Sequence, residues 1–217
     1  MARIDISGGA DNDAIALALK GIRDGYIICA PAEHGYIFLV DAFSEFAVRA
    51  MHVLRGARNG TSAQVLIASA ETLPGIARDL SEDVMALTEA FWPGLLSLNL
   101  RPNRGLAWDL GDGNTLDRFS VRSPQSIFLQ SILAASGPLA VASAARAGER
   151  PMKSLDSLLV GEFDLAAIFD AGTLDDGPLT TVVEADLAAM TIIRESAISR
   201  EQLAAVVPAL SPDKPIS

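Results

Sequence analysis

Apolar positions fall into two alternating rhythms along this chain, one of about 3.6 residues and one of short continuous or alternating runs. Residues 11–23, DNDAIALALKGIR, open on the capping types Asp11 and Asn12 and repeat Ile15, Leu19 and Ile22 at helical spacing. The spacing predicts further helices over 44–55, capped by Ser44 with Phe46, Val48, Met51 and Leu54 facing inward, and over 71–79. Another is predicted over 81–91, where Ser81 precedes the acidic first turn Glu82-Asp83, and one over 125–135, stopping at Gly137-Pro138. A last helix is predicted over 199–207, capped by Ser199. Between them lie β-rich runs at 26–31, 36–40, 64–69, 95–100, 118–122, 139–142, 165–169, 180–184 and 190–194.

Strands and helices interleave from end to end, which predicts an α/β layer fold. Connections vary in length and hairpin-like pairs fall near the C-terminus, so the sheet is expected to be mixed, twisted and flanked by helices. No linker or internal repeat divides the chain. One domain over 1–210 is the economical reading, with 211–217 a frayed tail.

Composition narrows the function. The 217 residues are 50% hydrophobic and 20% charged, which excludes a disordered chain. Lys and Arg total 17 against 27 Asp and Glu, a net charge of −10, so direct binding of a long nucleic acid is disfavoured. Only Lys20, Lys153 and Lys214 are lysines. The arginine bias is either compositional or suited to carboxylate and phosphate recognition. Cys29 is the sole cysteine, so no internal disulfide forms and a reducing, cytoplasmic setting is expected. No apolar run approaches a membrane span, and the N-terminus lacks the basic-then-apolar pattern of a secretory signal. His34 and His52 show no zinc spacing; His34 reads as a surface loop residue and His52 as the polar side of its helix. Asp175-Asp176 reads as a solvated turn.

The usual phosphate-binding glycine loops and the nucleophile elbow are missing. What stands out is cations and hydroxyls at element ends: Arg55 and Arg58 in RGARNG, Arg122 in SVRSP, Ser143 in VASAARAG, Thr180 and Thr181 in PLTTVVE, and Arg194 in TIIRES. Strand ends are where α/β sheets place ligands, so these residues are candidates for one anion site.

Several of these segments resemble the YrdC-like L-threonylcarbamoyladenylate synthases. AFWPGLLSLNL at 90–100 is similar to the family's Phe-Trp-Pro-Gly segment, SVRSP at 120–124 to its Val-Arg-x-Pro, and GPLAVASAARAG at 137–148 to its Ser-Ala-Asn segment. PLTTVVE and TIIRESAIS resemble its last two strand motifs. The resemblance runs from about residue 15 to 205. It implies a YrdC-like α/β fold and a reaction that joins L-threonine, bicarbonate and ATP (with Mg²⁺) into threonylcarbamoyl-AMP for tRNA t6A37 modification. It implies Arg55 and Arg58 as catalytic cations. Arg122, Ser143, Thr181 and Arg194 would hold the nucleotide, and Glu33, Tyr36 and Ser97 the other substrates.

This chain also departs from those motifs. Where the family has Pro-Thr-Asp/Glu-Thr-x-Tyr-Gly, this sequence reads Pro31-Ala32-Glu33-His34-Gly35-Tyr36-Ile37. The Lys-x-Arg pair reads Arg55-Gly56-Ala57, and the asparagine of Ser-x-Asn is Ala145. An alternative reading is therefore a catalytically impaired paralogue that binds a nucleotide or small anion or acts as an interaction module. A weaker alternative is an RNA-binding, translation-associated protein.

Overall fold

The computed structural model describes residues 2–115, 117–158, 160–161, 164–186 and 189–211. In chain order the elements are β1 (Ala2–Asp5), α1 (Asn12–Arg23), β2 (Ile28–Pro31), β3 (Tyr36–Asp41), α2 (Glu45–Leu54), β4 (Gln64–Leu66), α3 (Leu73–Ile76), β5 (Ala77–Arg78), α4 (Glu82–Phe91), β6 (Leu96–Pro102), β7 (Phe119–Arg122), α5 (Ile127–Ser136), β8 (Leu139–Ser143), β9 (Ala167–Asp170), β10 (Thr181–Ala185), β11 (Met190–Arg194) and α6 (Arg200–Val206). The strands form one mixed sheet in the order β1-β9-β2-β3-β8-β4-β7-β6-β10-β11, with β5 added to β6. Parallel pairs (β1·β9, β9·β2, β4·β7, β6·β10) are mixed with antiparallel ones, and β10·β11 is the expected C-terminal hairpin.

The caps explain why the helices start where they do. Asp11, Ser44, Ser81, Ser126 and Ser199 each accept a hydrogen bond from a first-turn amide, and Gln202 closes a capping box on Ser199. Gly137, at φ 82°, ends α5 in a conformation that side chains resist.

Two hydrophobic clusters lie on opposite faces of the sheet. Side-chain alternation sorts them: Ile28, Leu39, Leu66, Leu139 and Val141 meet α1 and α5, through Ala18, Ile22, Leu129 and Ile132. Their neighbours Cys29, Phe38, Val40, Val65, Ala140 and Ala142 face the other way, toward α2, α4 and α6, with Met51, Leu87 and Leu203. The result is a three-layer α/β/α arrangement in which the first face is covered only over its β9–β4 half.

The structure adds one strand and corrects three expectations. β1 has no counterpart in the sequence pattern, because ARID is short, half charged and an edge strand whose one neighbour among the described residues is β9. The helix expected over 71–79 shrinks to α3, since Pro74 and Gly75 hold it to one turn before the chain becomes β5. Phe46 is 80% exposed, not inward; two residues apart on a helix lie about 200° round the axis, so Phe46 and the buried Val48 cannot share a face. His52 is buried, with Nε2 2.9 Å from the Leu110 carbonyl oxygen, so it fastens the 109–113 loop to α2 rather than facing solvent. The expected tail, apart from Ser211, lies outside the described residues. No helix among the described residues is long and apolar enough to cross a membrane.

Candidate functional site

The uncovered half of the first face is polar. Strand alternation there places Ser97 and Asn99 of β6, Ser120 and Arg122 of β7, Gln64 of β4 and Ser143 of β8 on the side away from the α2–α4–α6 core. A cavity of about 610 Å³ opens over this region, a size in the normal range for small-molecule sites. Its walls are the β2–β3 turn, the end of β8 and the segments before β10 and after β8.

The sequence-derived candidates divide cleanly. Glu33, Tyr36, Arg55, Arg122, Ser143 and Arg194 converge on the cavity. Arg58 does not; it lines a separate cavity beside His52 and Asp109. Thr181 is fully buried, and its hydroxyl accepts from the Ser196 and Ile198 amides while donating to the Ile198 carbonyl, so its neighbour Thr180 is the one that reaches the cavity. Ser97 lies beneath Gln64, whose amide nitrogen donates to the Ser97 and Ser120 hydroxyls at 3.0 Å each.

Glu33 and Arg122 form a bidentate ion pair at the cavity wall. Arg122 Nη1 and Nη2 donate to the two Glu33 carboxylate oxygens at 2.8 Å each, and the Gln125 amide adds a third bond at 2.8 Å. The two side chains are only 10% and 7% exposed. Burial alone pushes the Glu33 carboxyl up, but the Arg122 hydrogen bonds and charge, with the Gln125 amide, outweigh it and hold the group below its ordinary value. This pair ties the β2–β3 turn to the end of β7.

Tyr36 acts inside the wall. Its hydroxyl donates to the Gly172 carbonyl at 2.7 Å, accepts from the Ala171 amide at 2.9 Å and sits 3.2 Å from Asp170 Oδ1. Burial is the main cause that pushes the phenol up to about 12, so it stays protonated at neutral pH. Arg194 is engaged by Thr180, through both its carbonyl and its hydroxyl at 2.9 Å.

Arg55 differs from these. It ends α2, lines the cavity, and its buried Nε has no hydrogen-bond partner. Among the described residues no carboxylate pairs with it, and burial pulls its guanidinium below the usual value. A desolvated guanidinium without an internal partner is set up to receive an external anion.

Several lining residues were missed by sequence reasoning. His34 faces the cavity, with its ring packed so closely on Gly177 that a side chain there would collide with it. Lys153 and Asp176 pair at the rim, which gives one of the three lysines a place in the wall, and Arg150 stands beside them. A usable signal lay only in the strands beside Gln64: the alternations Leu96-Ser97-Leu98-Asn99-Leu100 and Phe119-Ser120-Val121-Arg122 announce a sheet face left without an apolar cover.

Fold and site together define a three-layer α/β protein with an arginine-bearing cleft over the open part of a mixed sheet. The family model Sua5_yciO_yrdC, described as "Telomere recombination", matches residues 20–196, and the chain belongs to that family. A Mycobacterium leprae relative, named provisionally as a threonylcarbamoyl-AMP synthase, is 30% identical over 194 residues, covering 89% of this chain and 87% of its own. The threonylcarbamoyl-AMP synthase of Bacillus subtilis is 26% identical over 206 residues, covering 94% of this chain and 59% of its own. Among solved structures, Pyrococcus abyssi Sua5 complexed with L-threonine superposes with a TM-score of 0.86 at 24% identity, over 96% of this chain and 62% of that one. Escherichia coli YciO gives 0.75 at 19% identity, over 90% and 95%. These likenesses confirm the fold.

Proposed function

We propose that the chain is a threonylcarbamoyl-AMP synthase acting in tRNA t6A37 modification. The threonine amine displaces hydroxide-equivalent oxygen from bicarbonate as water, forming a carbamate. A carbamate oxygen then bonds to the α-phosphorus of ATP as the bond to the β-phosphate oxygen breaks, and pyrophosphate leaves. The observation that carries this reading is the unpartnered Arg55 guanidinium in a cavity of about 610 Å³. Charge builds on the phosphates during the transfer, and a positioned, desolvated cation stabilises it.

In this reading Arg55 meets the triphosphate and carbamate. The Ser143 hydroxyl and the Thr180–Arg194 pair border the nucleotide. Arg122, fixed and neutralised by Glu33, shapes the wall. Mg²⁺ arrives with ATP as part of the substrate; among the described residues no group of three His, Cys, Asp or Glu could hold it independently.

A second reading, anion binding without turnover, is favoured by one observation: Arg58 lies off the cavity, which removes the second of the two expected catalytic cations. Purified protein with ATP, L-threonine and bicarbonate separates the two. Pyrophosphate release that requires all three substrates supports the synthase. ATP binding by calorimetry with no pyrophosphate, beside an active relative, overturns it in favour of the second reading.

A further inference from the structure

A second cavity, of about 470 Å³, lies against the same arginine as the first. Arg55 lines both, so the two cavities meet at this residue. The second cavity is completed by Gly56, by Ala144 after β8, and by Arg146 and Glu149 in the turn that follows. That turn is fastened in place: the Ala147 amide donates to the Arg55 carbonyl at 3.0 Å, and the Glu149 amide to the Arg146 carbonyl at 3.0 Å. Among the described residues neither Arg55 nor Arg146 pairs its side chain with a carboxylate, although the chain as a whole carries ten surplus negative charges. Two free guanidiniums against one carboxylate make this concavity locally positive.

We infer that this cavity is a second oxyanion subsite, with Arg55 shared and Arg146 as its own cation, and that it takes a small phosphate-class anion. The choice of phosphate over carboxylate rests on the synthase reading, in which a phosphate product departs past Arg55. The geometry of the subsite itself does not depend on that reading. Guanidinium forks match phosphate oxygens in pairs, which favours a multivalent anion that can engage both arginines. Glu149 opposes the anion and sets the affinity below what two arginines alone would give.

Calorimetric titration of the full chain with inorganic phosphate and with pyrophosphate tests the inference. Arg146→Ala is expected to weaken the better-bound anion about 10-fold or more, the usual weight of a lost charged contact. Arg146→Lys keeps part of the affinity, Glu149→Gln tightens it, and AMP binding in the main cavity changes less than about twofold in all three, since none of these residues touches it. Melting temperatures close to the parent establish that the variants fold. Tighter pyrophosphate than phosphate supports an anion spanning both arginines, and equal affinities support a single phosphate beside Arg146. Failure of the parent to bind either anion overturns the inference, as do equal affinities of the parent and Arg146→Ala, or parallel loss of AMP and anion binding. A chain that binds pyrophosphate through Arg146 yet releases none from ATP overturns the synthase reading and leaves the subsite standing.

Discussion

Breaking the Glu33–Arg122 pair should be among the most damaging single changes outside the apolar core. Both side chains are nearly buried, 10% and 7% exposed, and they share two hydrogen bonds of 2.8 Å. Arg122→Met leaves a carboxylate held by backbone amides with no cation beside it among the described residues, and Glu33→Leu leaves a guanidinium whose remaining acceptor among the described residues is the Gly94 carbonyl at 3.3 Å. Removing one member of a buried pair costs about 3–5 kcal/mol, because the other charge stays desolvated. For a domain of this size that is a fall in Tm of about 6–20 °C. The double variant loses both charges together, so it should be less destabilised than the sum of the singles by about 2 kcal/mol or more.

The assay is urea unfolding of the four proteins of the cycle, repeated across pH. Glu33 is held below its ordinary value in the folded state, so its contribution is fully present above the unfolded value near 4.5 and is lost as pH falls through the lower folded value. Arg122→Met reverses the effect: its unpaired Glu33 gains from protonation. The stability gap between parent and Arg122→Met should therefore narrow from about pH 7 to about pH 3.5. Single losses below about 1 kcal/mol, or additivity within about 0.5 kcal/mol, would refute the reasoning.

Three further outcomes follow from the same structure. Arg55→Ala should lower kcat/KM for pyrophosphate release by about 10–150-fold while Arg58→Ala changes it less than twofold, so equal losses would count against the placement of the cavity. Gly111 sits at φ 104°, and a Cβ there would run into the His52 ring and lie 2.7 Å from the Thr61 carbonyl oxygen; Gly111→Ala should destabilise by about 1–3 kcal/mol, with His52→Ala in the same chain recovering part of it in thermal melts. Cys29 is fully buried and its thiol is pushed up to about 12 by burial, so an aromatic disulfide reagent at mildly alkaline pH should label it only after unfolding; prompt labelling of the native protein would contradict the packing.

Much of the architecture was legible because local signals agreed with tertiary ones. Ser44, Ser81 and Ser199 mark helix starts by the chemistry of orphan amides, which is local and survives any tertiary setting. The long strands at 36–41 and 96–102 have enough β-rich residues to outweigh context. What failed depended on neighbours distant in sequence. β1 is a strand only because β9 lies beside it, and His52 is buried only because residues 109–113 fold back over α2. The site shows the same division. Arg122 and Arg194 could be placed at strand ends, but which arginine is tied up and which is free depends on Glu33 and Thr180, whose approach no spacing reveals. The His34 loop met its partner Gly177 across a separation of more than a hundred residues, and nothing local announces that contact.

The separation of bound from free cations resolves an apparent conflict between the acidic chain and an anionic ligand. At physiological salt, exposed charges are screened beyond about 8 Å, so the net −10 acts weakly on a ligand already inside the cleft. Within the cleft, Arg122, Arg194 and Lys153 are each engaged by this chain, through Glu33, Thr180 and Asp176, although among the described residues the buried Arg122 Nε has no partner. Their bonds fix the walls and cost a ligand nothing to form, yet they leave little donor capacity for it. Arg55 is the reverse: half-buried, without a partner, and relieved of its desolvation only when an anion arrives. A ligand that reaches Arg55 therefore gains a charged hydrogen bond and restores hydration-like contacts to a group the fold has left wanting. Much of the binding energy then falls on that guanidinium, and a chain can be acidic overall and still take an anion, provided that it keeps such a cation free of its own carboxylates.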